Sequence, residues 1–271
     1  MRRMRLAVFA AILGLTLALP AGAITNGELD GNDHPYVGIM VADAADGTPM
    51  WRCSGALISP TVYVTAGHCV EAPAEGVTIW FETDLHADPT GDRFGYPFSG
   101  ETSVEGTPYP YPAYDPDAFY LYDLGVVVLD EPVELNEYAS LPGVDYVDSL
   151  GKGRKRAVVT AVGYGLQKAT SNPAGPDRTQ AALTRYQADL FVVNTTGVAG
   201  IGPIPDSHSM VLSGDAKHGG TCFGDSGGPI LDGDVIVAVN SFALNANCAG
   251  IGGVFRIDRQ AELDWISGFL N

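Results

Sequence analysis

The chain has 271 residues, 46% of them hydrophobic and 17% charged, with 34 glycines, 18 prolines and a formal charge of −17 at pH 7. That length suits one large domain or two small lobes sharing a core. So acidic a chain repels phosphate backbones and anionic lipid, which excludes nucleic acid and membrane surfaces as expected partners and leaves solubility as the reading of the charge.

Residues 1–23 open with Arg2, Arg3 and Arg5, run apolar from Leu6 to Leu19 and close on Ala21-Gly22-Ala23. This is the pattern of a signal peptide cut after Ala23: the apolar run is short for a membrane span and nothing follows that would stop transfer. The expected mature chain starts at Ile24 and is secreted. It keeps 248 residues, with twelve basic against 32 acidic side chains.

From Tyr36 onward the pattern is all-β. Short apolar or alternating runs recur at Tyr36–Val41, Ala56–Ile58, Val62–Ala66, Val77–Phe81, Gly125–Leu129, Val158–Val162, Leu190–Val193, Val235–Val239 and Gly253–Ile257. Glycine- and proline-rich turns separate them, which predicts antiparallel barrels or sandwiches and not βαβ units. Residues 83–118, dense in Pro, Gly, Asp and Tyr, read as a long surface excursion of the first lobe. The stretch Asn136–Lys155 reads as the crossing between lobes, and its basic run Lys152-Gly153-Arg154-Lys155-Arg156 as a solvated loop. At the end Leu263, Ile266, Phe269 and Leu270 keep helical spacing behind an Asp258 start, predicting one amphipathic helix packed on the body.

The chemistry lies in three segments. Gly224-Asp225-Ser226-Gly227-Gly228-Pro229 places a serine on a tight turn, Thr65-Ala66-Gly67-His68-Cys69 offers a base, and Asp123-Leu124-Gly125-Val126-Val127-Val128-Leu129 offers a carboxylate. Each has a plain reading taken singly: a turn former, a half-buried histidine, a strand-edge cap. Jointly they supply the nucleophile, the base and the group that orients the base. An α/β-hydrolase elbow also reads G-x-S-x-G, but there the histidine follows the serine, and the last histidine here is His218. The four cysteines, Cys53, Cys69, Cys222 and Cys248, allow three pairings. Proximity favours 53–69 and 222–248, and the lack of C-x-x-C spacing argues against zinc. The aspartates are not spaced as a calcium loop, so no metal and no cofactor is expected.

The order His68, Asp123, Ser226 resembles that of the chymotrypsin-fold (trypsin-like, S1 family) serine proteases over nearly the whole mature length. The resemblance implies two packed antiparallel β-barrels with a C-terminal α-helix: residues 24–140 form a lobe carrying His68 and Asp123, and residues 141–271 a lobe carrying Ser226. It implies that His68 is the general base, Asp123 its orienting carboxylate and Ser226 the nucleophile, with the backbone N–H groups of Gly224 and Ser226 as the oxyanion hole. It also implies that an ammonium at Ile24 pairs with Asp225, although Thr25-Asn26 stands where the family usually has Val-Gly. Gly220 falls at the base of the primary pocket, where an aspartate would select Lys or Arg. Ser241-Phe242-Ala243 matches the wall strand, with Gly253 opposite. Small to medium apolar residues are therefore expected as the residue supplying the scissile carbonyl (P1). The implied partners are protein or peptide substrates and protein inhibitors, acting on a monomer. A non-catalytic binding protein and an esterase on the same scaffold are the alternatives.

Overall fold

The computed structural model describes residues 24–86, 103–150, 156–166, 171–172, 175–176, 183–197, 208–214, 219–245, 248 and 250–270, the short pair 171–172 and 175–176 by backbone alone. The expected signal peptide, residues 87–102 of the expected excursion and Lys152–Lys155 of the basic run lie outside the described residues.

A short arm, β1 (Glu28–Leu29), leads into β2 (Val37–Asp43), β3 (Pro49–Leu57), β4 (Val62–Thr65), β5 (Gly76–Trp80), β6 (Val104–Pro110) and β7 (Gly125–Leu129). Strands β2 to β7 close an antiparallel barrel in the order β2-β3-β4-β7-β6-β5. A helical turn α1 (Val147–Leu150) precedes β8 (Val158–Gly163), the small pair β9 (Ser171–Asn172) and β10 (Gly175–Pro176), then β11 (Tyr186–Asn194), β12 (Ser209–Gly214), β13 (Pro229–Asp232), β14 (Val235–Ala243) and β15 (Gly250–Arg256). These form the order β11-β12-β15-β14-β13-β8, and the β8–β11 pairing closes a second six-stranded barrel, with β1 added outside β11. The final helix α2 spans Gln260–Ser267.

The apolar runs become strands because burial demands it. Val37 to Ala42 is buried throughout β2, and all four residues of β4 are buried, the two-sided burial a closed barrel filled with side chains produces. Apolar strand signals underestimated β6, which lies inside the segment expected to be a surface excursion. Its Thr-Pro-Tyr-Pro end reads as loop, yet Pro108 and Pro110 fall beyond the β5 ladder, which ends at Gly106. With one side unpaired there, a missing N–H costs little. Strands β12 and β13 were also not expected.

Helix α2 starts one residue later than anticipated. Arg259 occupies the N-cap position, whereas the buried Asp258 carboxylate accepts from the Arg256 guanidinium at 2.8 Å and from Val147 N–H at 2.8 Å. Trp265 and Phe269 reach back onto Tyr111 and Tyr109 of the first barrel, at ring separations of 5.1 and 5.2 Å. The barrels are also joined by Arg185, fully buried, which donates to Asp30 at 2.7 Å, to the Val37 carbonyl at 2.8 Å and to Asn32 at 2.8 Å. Burying that charge is tolerated because its donors find acceptors.

Candidate active site

The cleft lies where the two barrels meet. His68 sits in a single 3-10 turn, Gly67–Cys69, directly after β4. Asp123 is fully buried two residues before β7, which pairs with β4 from Thr65↔Gly125 onward. That ladder is what brings a histidine and an aspartate 55 positions apart into contact. His68 Nδ1 lies 2.8 Å from Asp123 Oδ2, and the His68 backbone N–H donates to Oδ1 at 2.9 Å. About a quarter of the imidazole remains exposed. Burial works against its protonation, but the Asp123 charge and hydrogen bond, with a contribution from Glu71, hold its pKa above the ordinary value of 6.5.

Ser241 completes the Asp123 shell. Its hydroxyl donates to Asp123 Oδ2 at 2.5 Å. The β14–β15 register slips between Asn240 and Phe242, leaving Ser241 at the irregularity, and bulges of this kind re-aim a side chain beside a site. Sequence reasoning gave Ser241 a place on the pocket wall and missed its bond to Asp123.

Ser226 sits on the turn before β13, partly exposed, with its neighbours Asp225 and Gly227 buried. The turn is held from several sides. Ser54 N–H donates to the Ser226 carbonyl at 2.7 Å, and Gly227 N–H donates to the Asn240 carbonyl at 2.7 Å. Gly224 takes φ +95°, a conformation that glycine adopts without a Cβ clash. Both expected disulfides are present, Cys53–Cys69 and Cys222–Cys248, and they tether the His68 turn and the approach to Ser226. Cys53, His68 and Cys69 are the one grouping of metal-type ligands among the described residues, but both sulfurs are in the disulfide and offer no thiolate.

Ile24 and Asp225 are both buried, but in the full-length chain Ile24 is bonded to Ala23 and carries no ammonium. Its side chain fills the second-barrel core, and the next residue, Thr25, exchanges backbone hydrogen bonds with Gly220 at 2.8 and 2.9 Å. Asp225 accepts from Gly165 N–H at 2.7 Å and Cys222 N–H at 2.8 Å. Burial outweighs these bonds and the Arg52 charge, pushing its carboxyl up to about 7.

One open cleft of about 320 Å³ is bordered by His68, Ser226, Phe119 and the strand Ser241-Phe242-Ala243. A small recess of about 10 Å³ shares Thr221 and Ala243 with it and has Gly220 in its wall. Gly253 carries the Phe242 ring, which would lie 2.4 Å from a Cβ at that position. The ring also meets Phe119 edge-on at 5.7 Å, and Phe119 meets the His68 ring at 6.4 Å.

Two closed six-stranded antiparallel barrels, crossed by a cleft and finished by a C-terminal helix, define a chymotrypsin-like fold. The family model described as trypsin matches residues 28–266. The chain belongs to the trypsin family, whose members act on protein or peptide substrates. It is 26% identical to brachyurin of Leptuca pugilator over 238 residues, covering 87% of this chain and 92% of that one. It is 25% identical to collagenase of Hypoderma lineatum over 280 residues, covering 96% of each. A solved structure of HL collagenase superposes with a TM-score of 0.66 at 22% identity, over 90% of this chain and 97% of the other. No helix among the described residues is long and apolar enough to cross a membrane.

Proposed function

We propose that the chain is a secreted serine endopeptidase whose mature form begins at Ile24, with His68, Asp123 and Ser226 as its catalytic residues. His68 takes the Ser226 hydroxyl proton as Oγ attacks the peptide carbonyl, then passes that proton to the departing amine. Water, activated by the same imidazole, hydrolyses the acyl-enzyme. Asp123 fixes the tautomer with Nδ1 protonated and stabilises the imidazolium. The N–H groups of Gly224 and Ser226 receive the developing oxyanion, a donor of this kind being worth roughly 10²–10³ in rate. The observation that carries the reading is the capture of His68 by a buried aspartate, through both ring and backbone, in a cleft that Ser226 also borders.

With Gly220 at its wall the recess has no carboxylate among the described residues, and its volume of about 10 Å³ gives room for about one water molecule. Both support small apolar P1 residues over Lys or Arg. The test is labelling by a serine-directed fluorophosphonate with mapping of the adduct, alongside a peptide-library profile. An adduct on Ser226 and cleavage after small apolar residues are expected. Lack of an adduct would favour a non-catalytic binding protein, and cleavage of esters alone would favour an esterase.

A further inference from the structure

Beyond the His68 pair, the cleft wall holds one more acid. Glu71, three residues past His68, borders the 320 Å³ cleft and is its one formally charged lining residue at neutral pH among the described residues. It is half-buried and has no cationic partner among the described residues. A structural carboxylate of that kind would ordinarily be exposed to water or neutralised by an ion pair. Among the described residues its one side-chain hydrogen bond is with the Tyr114 phenol, which donates to Oε2 at 2.5 Å.

Tyr114 is held in place for this contact. Its N–H donates to the Tyr111 carbonyl at 2.8 Å, and its ring lies over Gly67, where a Cβ would stand 2.6 Å from Cδ2. Any larger residue at 67 would push the ring off the His68 turn. Burial and the adjacent Glu71 charge raise the Tyr114 pKa, so the phenol stays a donor. One lone pair of Oε2 is thus used, and the rest of the carboxylate's acceptor capacity remains for a ligand. The Glu71 charge also reaches the imidazole, adding to what raises the His68 pKa, and Glu71 borders the same cleft as His68 and Ser226.

We infer that Glu71, positioned by Tyr114, is a specificity residue that selects substrates carrying Lys or Arg immediately beside the P1 residue, on the His68 wall of the cleft. The inference rests on the peptidase reading above and adds the substrate class to it. A single carboxylate among aromatic walls gives a cationic side chain both an ion pair and a surface for its methylene stem. The chain's formal charge of −17 steers cationic peptides toward the enzyme from a distance as well.

The experiment uses peptides with a fixed small apolar P1 and Lys, Arg, norleucine or Glu placed in turn on either side of it. Mature wild type, Glu71→Gln and Tyr114→Phe are compared by the ratio of kcat/KM for Lys over norleucine, in which shared losses cancel. Wild type should favour Lys by about two- to fivefold at one of the two positions, as expected of a half-exposed pair. The ratio should fall to about one in Glu71→Gln and to an intermediate value in Tyr114→Phe, and it should shrink in wild type at high salt. A ratio near one in wild type, or one that survives Glu71→Gln, overturns the inference. Fluorophosphonate titration of Ser226 counts competent sites in each sample. Wild type that labels without preferring Lys refutes the Glu71 inference alone, whereas wild type that does not label refutes the peptidase reading and this inference together.

Discussion

Ser54 and Gly224 meet across the seam between the barrels, the Ser54 hydroxyl donating to the Gly224 carbonyl at 2.9 Å. Ser54 Oγ in turn accepts from Tyr164 N–H at 3.1 Å, and the Ser54 N–H holds the Ser226 carbonyl. A fully buried residue of β3 thus pins both ends of the turn that carries the proposed nucleophile and oxyanion donor. Ser54→Ala should lower kcat by about tenfold with a smaller change in KM, because the lost bond aims the Gly224 peptide and does not hold ground-state substrate. Stability should drop by about 1–2 kcal/mol, as the Tyr164 N–H and Gly224 carbonyl lose a partner. An unchanged kcat in steady-state assays would remove Ser54 from the positioning of that loop.

The His68 pKa, held up by Asp123 in spite of burial, should set the acid limb of the proposed activity. With the neutral imidazole as the proposed base, kcat/KM should rise with pH through a value above 6.5. Stability follows the opposite sign: the pair's contribution is complete below the unfolded histidine pKa and is lost as pH rises through the folded one. Asp123→Asn should cost on the order of 10³–10⁴ in kcat and move the limb to lower pH. A pH–rate profile that keeps its limb in this variant would contradict the assigned role.

Asp225 offers a test of the mature terminus. Its carboxyl, raised by burial from 3.8 to about 7, gives a stability contribution that is present below its unfolded pKa and lost as pH rises through about 7. A chain with residues retained ahead of Ile24 should therefore lose stability between pH 4 and 7. A chain starting at Ile24 should reverse this, since an ammonium beside Asp225 lowers the carboxyl pKa and stabilises the ionised form. Its own loss comes at alkaline pH, above the free α-amino value of roughly 7.7–8.0. Thermal melts of the two forms across pH decide the matter, and superimposable curves would sink the pairing.

Gly227 has φ +75°, and a Cβ there would stand 2.0 Å from Thr65 Oγ1 and 2.5 Å from the Ser54 carbonyl. Gly227→Ala should destabilise by about 3 kcal/mol or more, combining backbone strain with a clash against backbone. Chemical denaturation measures this, and a loss under about 1 kcal/mol would mean that the turn relaxes freely.

Much of the fold was legible because strand periodicity is local. Gly125–Leu129 is a strand at the bounds its apolar run suggests, and Val158 and Val235 each begin a strand where expected. The two disulfides followed from proximity in sequence. Strand β6 was hidden by two prolines that are acceptable only because the neighbouring ladder stops short of them. Asp258 looked like a cap because its type suits one, yet Arg256 and Val147 claim it through contacts that span up to 111 positions.

For the candidate site, residue type and order alone singled out His68, Asp123 and Ser226 and the chemistry they suit. What depended on tertiary structure was every relation between side chains far apart in sequence: across the seam, Ser241 donating to Asp123 and Ser54 gripping the Gly224 carbonyl; within the first barrel, Tyr114 resting on Gly67 to hold Glu71. Periodicity is written in neighbouring residues, so a linear reading recovers it. Hydrogen bonds between side chains far apart in sequence arise only when barrel closure excludes water and leaves each buried polar group to find its partner there.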